Sequence, residues 1–105
     1  MKVIKGVLKE ELSNASRMKV EYEKALEALP KGALIRKRVK GHLYYYLVVR
    51  EGKKVRFEYR GKILPEEELK RYAEARRLRA KYRSLLSGIK KEIAFLERAL
   101  RGKEI

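Results

Sequence analysis

The sequence predicts an α+β fold: an amphipathic helix, a three-stranded antiparallel β-meander and a long C-terminal helix that pairs with the first as an antiparallel coiled-coil hairpin. Apolar residues recur every three or four positions towards both ends of the chain, as on helices that bury one face. Between them, runs of β-branched and aromatic residues are separated by glycines. With 105 residues, 45% hydrophobic and 41% charged, the chain is expected to form a single domain over residues 1–105.

The first helix is predicted over residues 7–29. Its apolar residues follow steps of three and four, which places them in one stripe. The stripe consists of Leu8, Leu12, Ala15, Tyr22, Leu26 and Leu29. Pro30 ends the helix, because proline lacks the backbone N–H that a continuing helix needs.

The sheet is predicted over residues 33–60, as strands 33–40, 42–50 and 53–60. Gly52 supplies the positive φ of the second hairpin, whereas Gly41 marks either a tight turn or a bulge. Side chains alternate between the two faces of a strand, so we assign an apolar face that packs against the helices. This face is expected to contain Ile35, Val39, Tyr45, Leu47, Val49, Val55, Phe57 and Tyr59.

The long helix is predicted over residues 65–101. Pro65 suits the first helical position, and the glutamates that follow it complement the helix dipole. Leu69 and Tyr72 lie on a different side of this helix from the main apolar stripe, which begins at Leu78. We therefore expect the first turns to pack on the sheet and the remainder to pair with the first helix.

The positive charge is concentrated in the sheet. The net charge is +15, and residues 31–62 hold eleven basic and two acidic side chains, a net +9. Alternation places a basic set with interleaved tyrosines on the second face of the sheet. The candidate binding residues of this face are Arg36, Arg38, Lys40, Tyr44, Tyr46, Arg56 and Arg60. On the long helix, Arg76, Arg79 and Arg83 form a stripe that could contact phosphates.

These features predict a non-catalytic nucleic-acid-binding protein. Duplex DNA is preferred over RNA, because a three-stranded ribbon matches the ~12 Å width of the major groove and arginine can pair with guanine edges. One alternative is an RNA-binding or ribosome-associated protein, in which the tyrosines stack on bases. Another is an adaptor that binds a protein partner, or forms a homodimer, through the helical hairpin. The basic face could also be a solvated surface with no partner.

The composition argues against several other classes. The chain has no Cys, no Asp and one histidine, His42, so no catalytic residue, metal site or cofactor is predicted. The apolar run 43–49 is too short to span a membrane. Lysines interrupt the amino-terminal twelve residues, so no signal peptide is predicted and a cytoplasmic location is expected. The abundance of Lys, Arg and Glu is typical of thermophilic proteins.

The middle of the chain contains a distinctive string of short motifs. These are Leu29-Pro30-Lys31-Gly32, Lys40-Gly41-His42, Tyr44-Tyr45-Tyr46-Leu47, Arg50-Glu51-Gly52-Lys53-Lys54-Val55 and Tyr59-Arg60-Gly61-Lys62. The string resembles that of a family of small uncharacterised bacterial and archaeal proteins with a charged helical tail, over about residues 26–100. This resemblance implies no site residues. In architecture, the predicted sheet and helix are similar to the arm-binding domains of tyrosine recombinases, which read duplex DNA through a sheet.

Overall fold

A computed structural model describes residues 2–103, with side chains from residue 4 to residue 102. The elements follow one another as α1 (Lys2–Glu27), β1 (Ala33–Val39), β2 (His42–Glu51), β3 (Lys54–Gly61) and α2 (Glu66–Lys103). The three strands form one antiparallel sheet in the order β1-β2-β3. The predicted α+β class is confirmed, and α1 and α2 pair as a helical hairpin. The predicted domain limits at residues 1 and 105 lie outside the described residues.

Both helices are longer than the apolar pattern predicts. α1 begins at Lys2 instead of residue 7, and α2 continues through Gly102 to Lys103. A glycine inside a helix costs only about 1 kcal/mol, so Gly6 and Gly102 weaken the helix without ending it. None of the described helices has an apolar stretch long enough to cross a membrane.

The first hairpin turns through two residues. Lys40 and Gly41 have φ angles of 50° and 83°, and Val39 pairs with His42 across the turn. Positive φ at both loop residues is the geometry of a type I′ turn, whose twist matches that of the flanking strands. The predicted alternative of a bulge at Gly41 is therefore wrong. The irregularity in the sheet lies instead between Tyr45 and Tyr46, where β2 faces β3.

This two-residue turn decides which side chains share a face. Because Val39 pairs with His42, Ile35 lies opposite Tyr46, and Arg36 lies opposite Tyr45. The second hairpin has the same effect, so that Leu47 lies opposite Glu58 in β3. Side chains directly opposite each other project from the same face. The predicted face therefore holds in β2, where Leu47 is buried, but is wrong in β1 and β3. The residues of these two strands that were predicted to pack against the helices lie on the face opposite to Leu47; they are Ile35, Val39, Val55, Phe57 and Tyr59.

The chain divides into two compact units, each with its own small core. The hairpin unit comprises the residues up to 28 and from 79 on, and the sheet unit comprises residues 29–78. The hairpin unit buries Ala15, Ile89 and Leu96. The side chains packed against this core are Leu8, Leu12, Tyr22, Leu86 and Ile93. The sheet unit buries Leu47 and Ala75.

Gly32 occupies a position that no other residue fits. Its φ is +92°, and a Cβ atom there would lie 2.9 Å from both the Leu47 Cδ1 atom and the Val48 carbonyl oxygen. Replacing Gly32 with Ala is expected to lower the free energy of unfolding by about 1–3 kcal/mol, because backbone strain adds to the steric clash. Urea denaturation measures this change.

Gly88 provides the matched control for this substitution. It lies inside α2, and a Cβ atom there would meet nothing within 4 Å. Gly88→Ala is expected to raise the free energy of unfolding by about 0.5–1 kcal/mol, since alanine has the higher helix propensity. Equal effects of the two substitutions would contradict the assigned role of Gly32.

Candidate nucleic-acid interface

The two faces of the sheet differ in their surroundings. We call the face that contains Leu47 the helix-side face, because its residues Leu34 and Tyr45 line a pocket together with Leu69 of α2. We call the other the open face. The pairing register places on it Ala33, Ile35, Lys37, Val39, His42, Tyr44, Tyr46, Val48, Arg50, Val55, Phe57 and Tyr59.

Aromatic rings form an accessible cluster on the open face. Phe57 is 53% exposed and Tyr59 60% exposed. The Tyr59 ring centre lies 5.9 Å from that of Tyr44 and 5.7 Å from that of Tyr46, with both pairs edge-on. Such contacts hold the exposed Tyr59 ring in position against the half-buried rings of Tyr44 and Tyr46. The open face thus presents a group of positioned aromatic rings.

Positive charge lies directly beside these rings. The Lys37 Nζ atom is 5.9 Å from the Tyr46 ring centre and 5.5 Å from that of Phe57. The His42 ring lies next to the Tyr44 ring, with 6.3 Å between the ring centres, and extends the group of rings. The open-face residues of the three strands include no carboxylate, so the charge of Lys37 is not neutralised on its own face.

The helix-side face contains four of the arginines predicted to bind nucleic acid, which are Arg36, Arg38, Arg56 and Arg60. Two of them are paired with glutamates. Glu58 contacts Arg56 at 2.7 Å and Arg60 at 3.1 Å, and Glu51 contacts Arg56 at 3.2 Å. These carboxylates offset much of the charge that β3 would otherwise present to an anion.

The remaining predicted sheet residues lie in three different settings. The Arg36 guanidinium lies 5.2 Å from the Tyr45 ring centre, on the helix-side face. Arg38 donates a long hydrogen bond of 3.4 Å to the Gly41 carbonyl oxygen, and Lys40 lies in the turn. Tyr44 and Tyr46 lie on the open face, separated from all four arginines. The predicted single basic and aromatic face is therefore wrong.

The basic residues of α2 are divided between the two units. Arg76 is exposed and belongs to the sheet unit, whereas Arg79 and Arg83 belong to the hairpin unit. Beside Arg76, Arg77 donates a hydrogen bond of 3.1 Å from Nε to Glu74. This bond lowers the pKa of the Glu74 carboxyl group and raises the pKa of Arg77. The charge of Arg77 is thus offset by its neighbour.

Three residues of the open face are absent from the candidate binding residues that the sequence predicts. They are Lys37, Phe57 and Tyr59, and alternation alone places the two aromatic residues on the face that packs against the helices. The turn lengths could have identified them. If Lys40-Gly41 and Gly52-Lys53 are taken as two-residue loops, odd-numbered residues of β1 and β3 share a face with even-numbered residues of β2.

Comparison with known proteins yields one family. The model of a domain of unknown function, DUF6788, matches residues 8–71. The matched range includes all three strands and the first turns of α2, and therefore the whole open face. No curated protein and no solved structure matches the chain.

Proposed function

The chain belongs to the DUF6788 family, whose function is unknown, and from the geometry of the open face we propose that it binds single-stranded nucleic acid without catalysing a reaction. The observation that carries the proposal is the cluster of exposed rings beside Lys37. We further propose that the protein acts in the cytoplasm, with no cofactor.

The chemistry of the open face suits unpaired bases. Each base of a single strand has a free π-face, and stacking on an aromatic side chain contributes about 1–3 kcal/mol whatever the base. Phe57 and Tyr59 are two residues apart on β3, a separation of roughly 7 Å, so each ring has room for its own base. Lys37 adds a cation for the phosphate backbone.

Duplex DNA is the second candidate ligand. In a duplex the faces of the bases are stacked on each other, and proteins read the base edges through polar side chains. The rings of the open face are poorly suited to this, but the exposed residues Arg36 and Arg38 of β1 could contact a groove. The proposed architectural likeness to recombinase arm-binding domains would favour this arrangement.

Fluorescence anisotropy with labelled oligonucleotides of about 12 nucleotides tests the proposal. Single-stranded RNA, single-stranded DNA and duplex DNA of one sequence are compared across a salt series. We expect both single strands to bind more tightly than the duplex at near-physiological salt. Duplex binding that is as tight as single-strand binding, or tighter, would reject the proposal. An equal decrease in affinity for all three oligonucleotides with rising salt would also reject it, because it would indicate purely electrostatic binding.

The variant Lys37→Ala refines this experiment. If Lys37 contacts one phosphate, its removal reduces the slope of log K against log salt by about 0.7 for a single strand. Arg98→Ala removes one exposed charge from the hairpin unit and serves as the control, because Arg98 is not among the candidate binding residues. Equal changes in slope for both variants would show that net charge alone determines binding.

Glu58→Gln is expected to affect the two ligands differently. Loss of this carboxylate leaves Arg60 without its glutamate and Arg56 with only Glu51. Duplex binding at low salt should therefore strengthen, while single-strand binding changes less, because Glu58 lies on the helix-side face. Stability should change by less than about 1 kcal/mol, as is usual for exposed ion pairs. Anisotropy measures the two affinities, and urea denaturation measures the stability. A larger gain in affinity for the single strand than for the duplex would contradict the assignment of faces.

The hairpin unit has exposed apolar side chains that an adaptor or a homodimer could use. Val7 is 54% exposed and Phe95 60% exposed. Sedimentation of the protein alone tests this role. If the protein forms a dimer that Phe95→Ala disrupts, and if it binds no oligonucleotide, association through the helical hairpin would replace nucleic-acid binding as the proposed function.

A further inference from the structure

A pocket of about 420 Å³ lies within the sheet unit, along residues 33–36 of the edge strand β1. Its walls come from β1, β2 and the first turns of α2. The residues that matter here are Leu34, Arg36, Tyr45, Leu69, Tyr72 and Arg76. This volume falls within the range of pockets that hold small molecules, roughly 300–1,000 Å³.

The pocket combines an apolar lining with two cations. Leu34, Leu69 and the rings of Tyr45 and Tyr72 supply apolar surface, and no lining residue is acidic. Among the residues with described side chains, neither Arg36 nor Arg76 forms an ion pair.

Several other arginines of the sheet unit do have an acidic partner. Arg56, Arg60 and Arg77 all contact glutamates. Arg36 instead lies over the Tyr45 ring, which holds its guanidinium beside the pocket. Guanidinium groups pair strongly with carboxylates and phosphates, so a bound anion could supply the partner that Arg36 and Arg76 do not have within the protein.

We propose that this pocket binds a small organic anion, with an aromatic ring against the tyrosines and leucines and its charged group between Arg36 and Arg76. The two arginines favour an anionic ligand, and the apolar lining favours a ligand whose uncharged part is an aromatic ring. The lining includes neither Lys37 nor the rings of Phe57 and Tyr59, so the site is distinct from the proposed nucleic-acid-binding residues.

Three probes of one shape test the proposal by titration of ¹⁵N-labelled protein. They are 2-naphthoate, 2-naphthyl phosphate and the uncharged 2-naphthalenemethanol. Amide shifts are expected at residues 33–36, 45 and 69–76, with both anions binding about tenfold more tightly than the alcohol. The two anions distinguish a carboxylate from a phosphate ligand. Equal affinity for all three probes, or shifts confined to the open face, would overturn the proposal.

Two variants and their controls locate the site. Ala73 is exposed and lines the pocket, so Ala73→Phe should fill it and abolish the shifts, whereas Ala80→Phe, outside the lining, should not. Arg36→Gln/Arg76→Gln should remove the preference for anions while the alcohol binds as before. Circular dichroism shows whether each variant is folded. If Ala73→Phe misfolds, Arg36→Gln/Arg76→Gln still tests the proposal. Unchanged anion binding by both variants would place the probe elsewhere and reject the site.

The pocket proposal and the proposed nucleic-acid binding can be tested separately. Phe57→Ala/Tyr59→Ala alters only the open face and should leave the naphthoate titration unchanged, while Ala73→Phe should leave single-strand binding unchanged. Loss of naphthoate binding in the Phe57 and Tyr59 variant would assign the probe to the open face. That result would overturn the pocket proposal without affecting the proposed function.

Discussion

Phe57→Ala/Tyr59→Ala is expected to weaken single-strand binding at least about 30-fold. Each stacking ring contributes about 1–3 kcal/mol, and about 1.4 kcal/mol corresponds to a factor of ten in affinity. Both rings are more than half exposed, so their removal leaves no cavity in a core. The affinity is measured by anisotropy with single-stranded RNA and DNA at one salt concentration, and the free energy of unfolding is measured in parallel.

Phe95→Ala is the matched control for this loss. Phe95 is 60% exposed, as is Tyr59, but it lies on α2 in the hairpin unit. Its replacement removes an exposed ring without changing the open face, so affinity for single strands should remain as in the wild type. An equal loss with Phe95→Ala would show that the rings of the open face are not the binding surface. Tyr59→Phe should retain most of the affinity, because stacking does not need the hydroxyl.

Leu47→Ala is expected to cause the largest loss of stability in the sheet unit, about 2–5 kcal/mol. Leu47 is 3% exposed and lies in the central strand, opposite Leu34 of β1 and Glu58 of β3. Its truncation removes apolar contacts and leaves a cavity that the neighbouring strands can close only in part. Urea denaturation followed by tyrosine fluorescence measures the change.

Leu43→Ala is the matched control, because it is the same change of residue type at an exposed position. Leu43 lies on the same strand and the same face but is 38% exposed. Its truncation should cost less than about 1 kcal/mol, because much of this side chain is in water in the folded protein. Comparable losses at Leu43 and Leu47 would show that the core of the sheet unit is not centred on Leu47.

Much of the fold follows from local patterns in the sequence. Pro30 and Pro65 separate the elements, and the glycines at positions 41 and 52 mark the hairpins that join the strands. The two sides of α2 also have the predicted neighbours, since Leu69 and Tyr72 line the pocket with the sheet while Ile89 belongs to the core of the hairpin unit. These features depend on residues close together in the chain, which is why they can be predicted.

The candidate site could be predicted only in part. Tyr44 and Tyr46 were identified as surface residues, but they were grouped with Arg36 and Arg56, which lie on the other face. A shift of one residue in register exchanges every side chain between the faces, so an error in the turn length affects a whole strand. Alternation predicts that Phe57 packs against the helices together with Leu47, whereas Phe57 lies on the other face and is exposed.

The sequence by itself determined the order and type of the elements, the concentration of basic residues in the sheet and the division of α2 into two apolar sides. Tertiary structure alone decided which side chains share a face and which charges are neutralised. The contact of Glu51 in β2 with Arg56 in β3, for example, depends on how the two strands pair, which composition does not report. Local patterns set the elements because their causes are local, whereas the open face results from the register between strands.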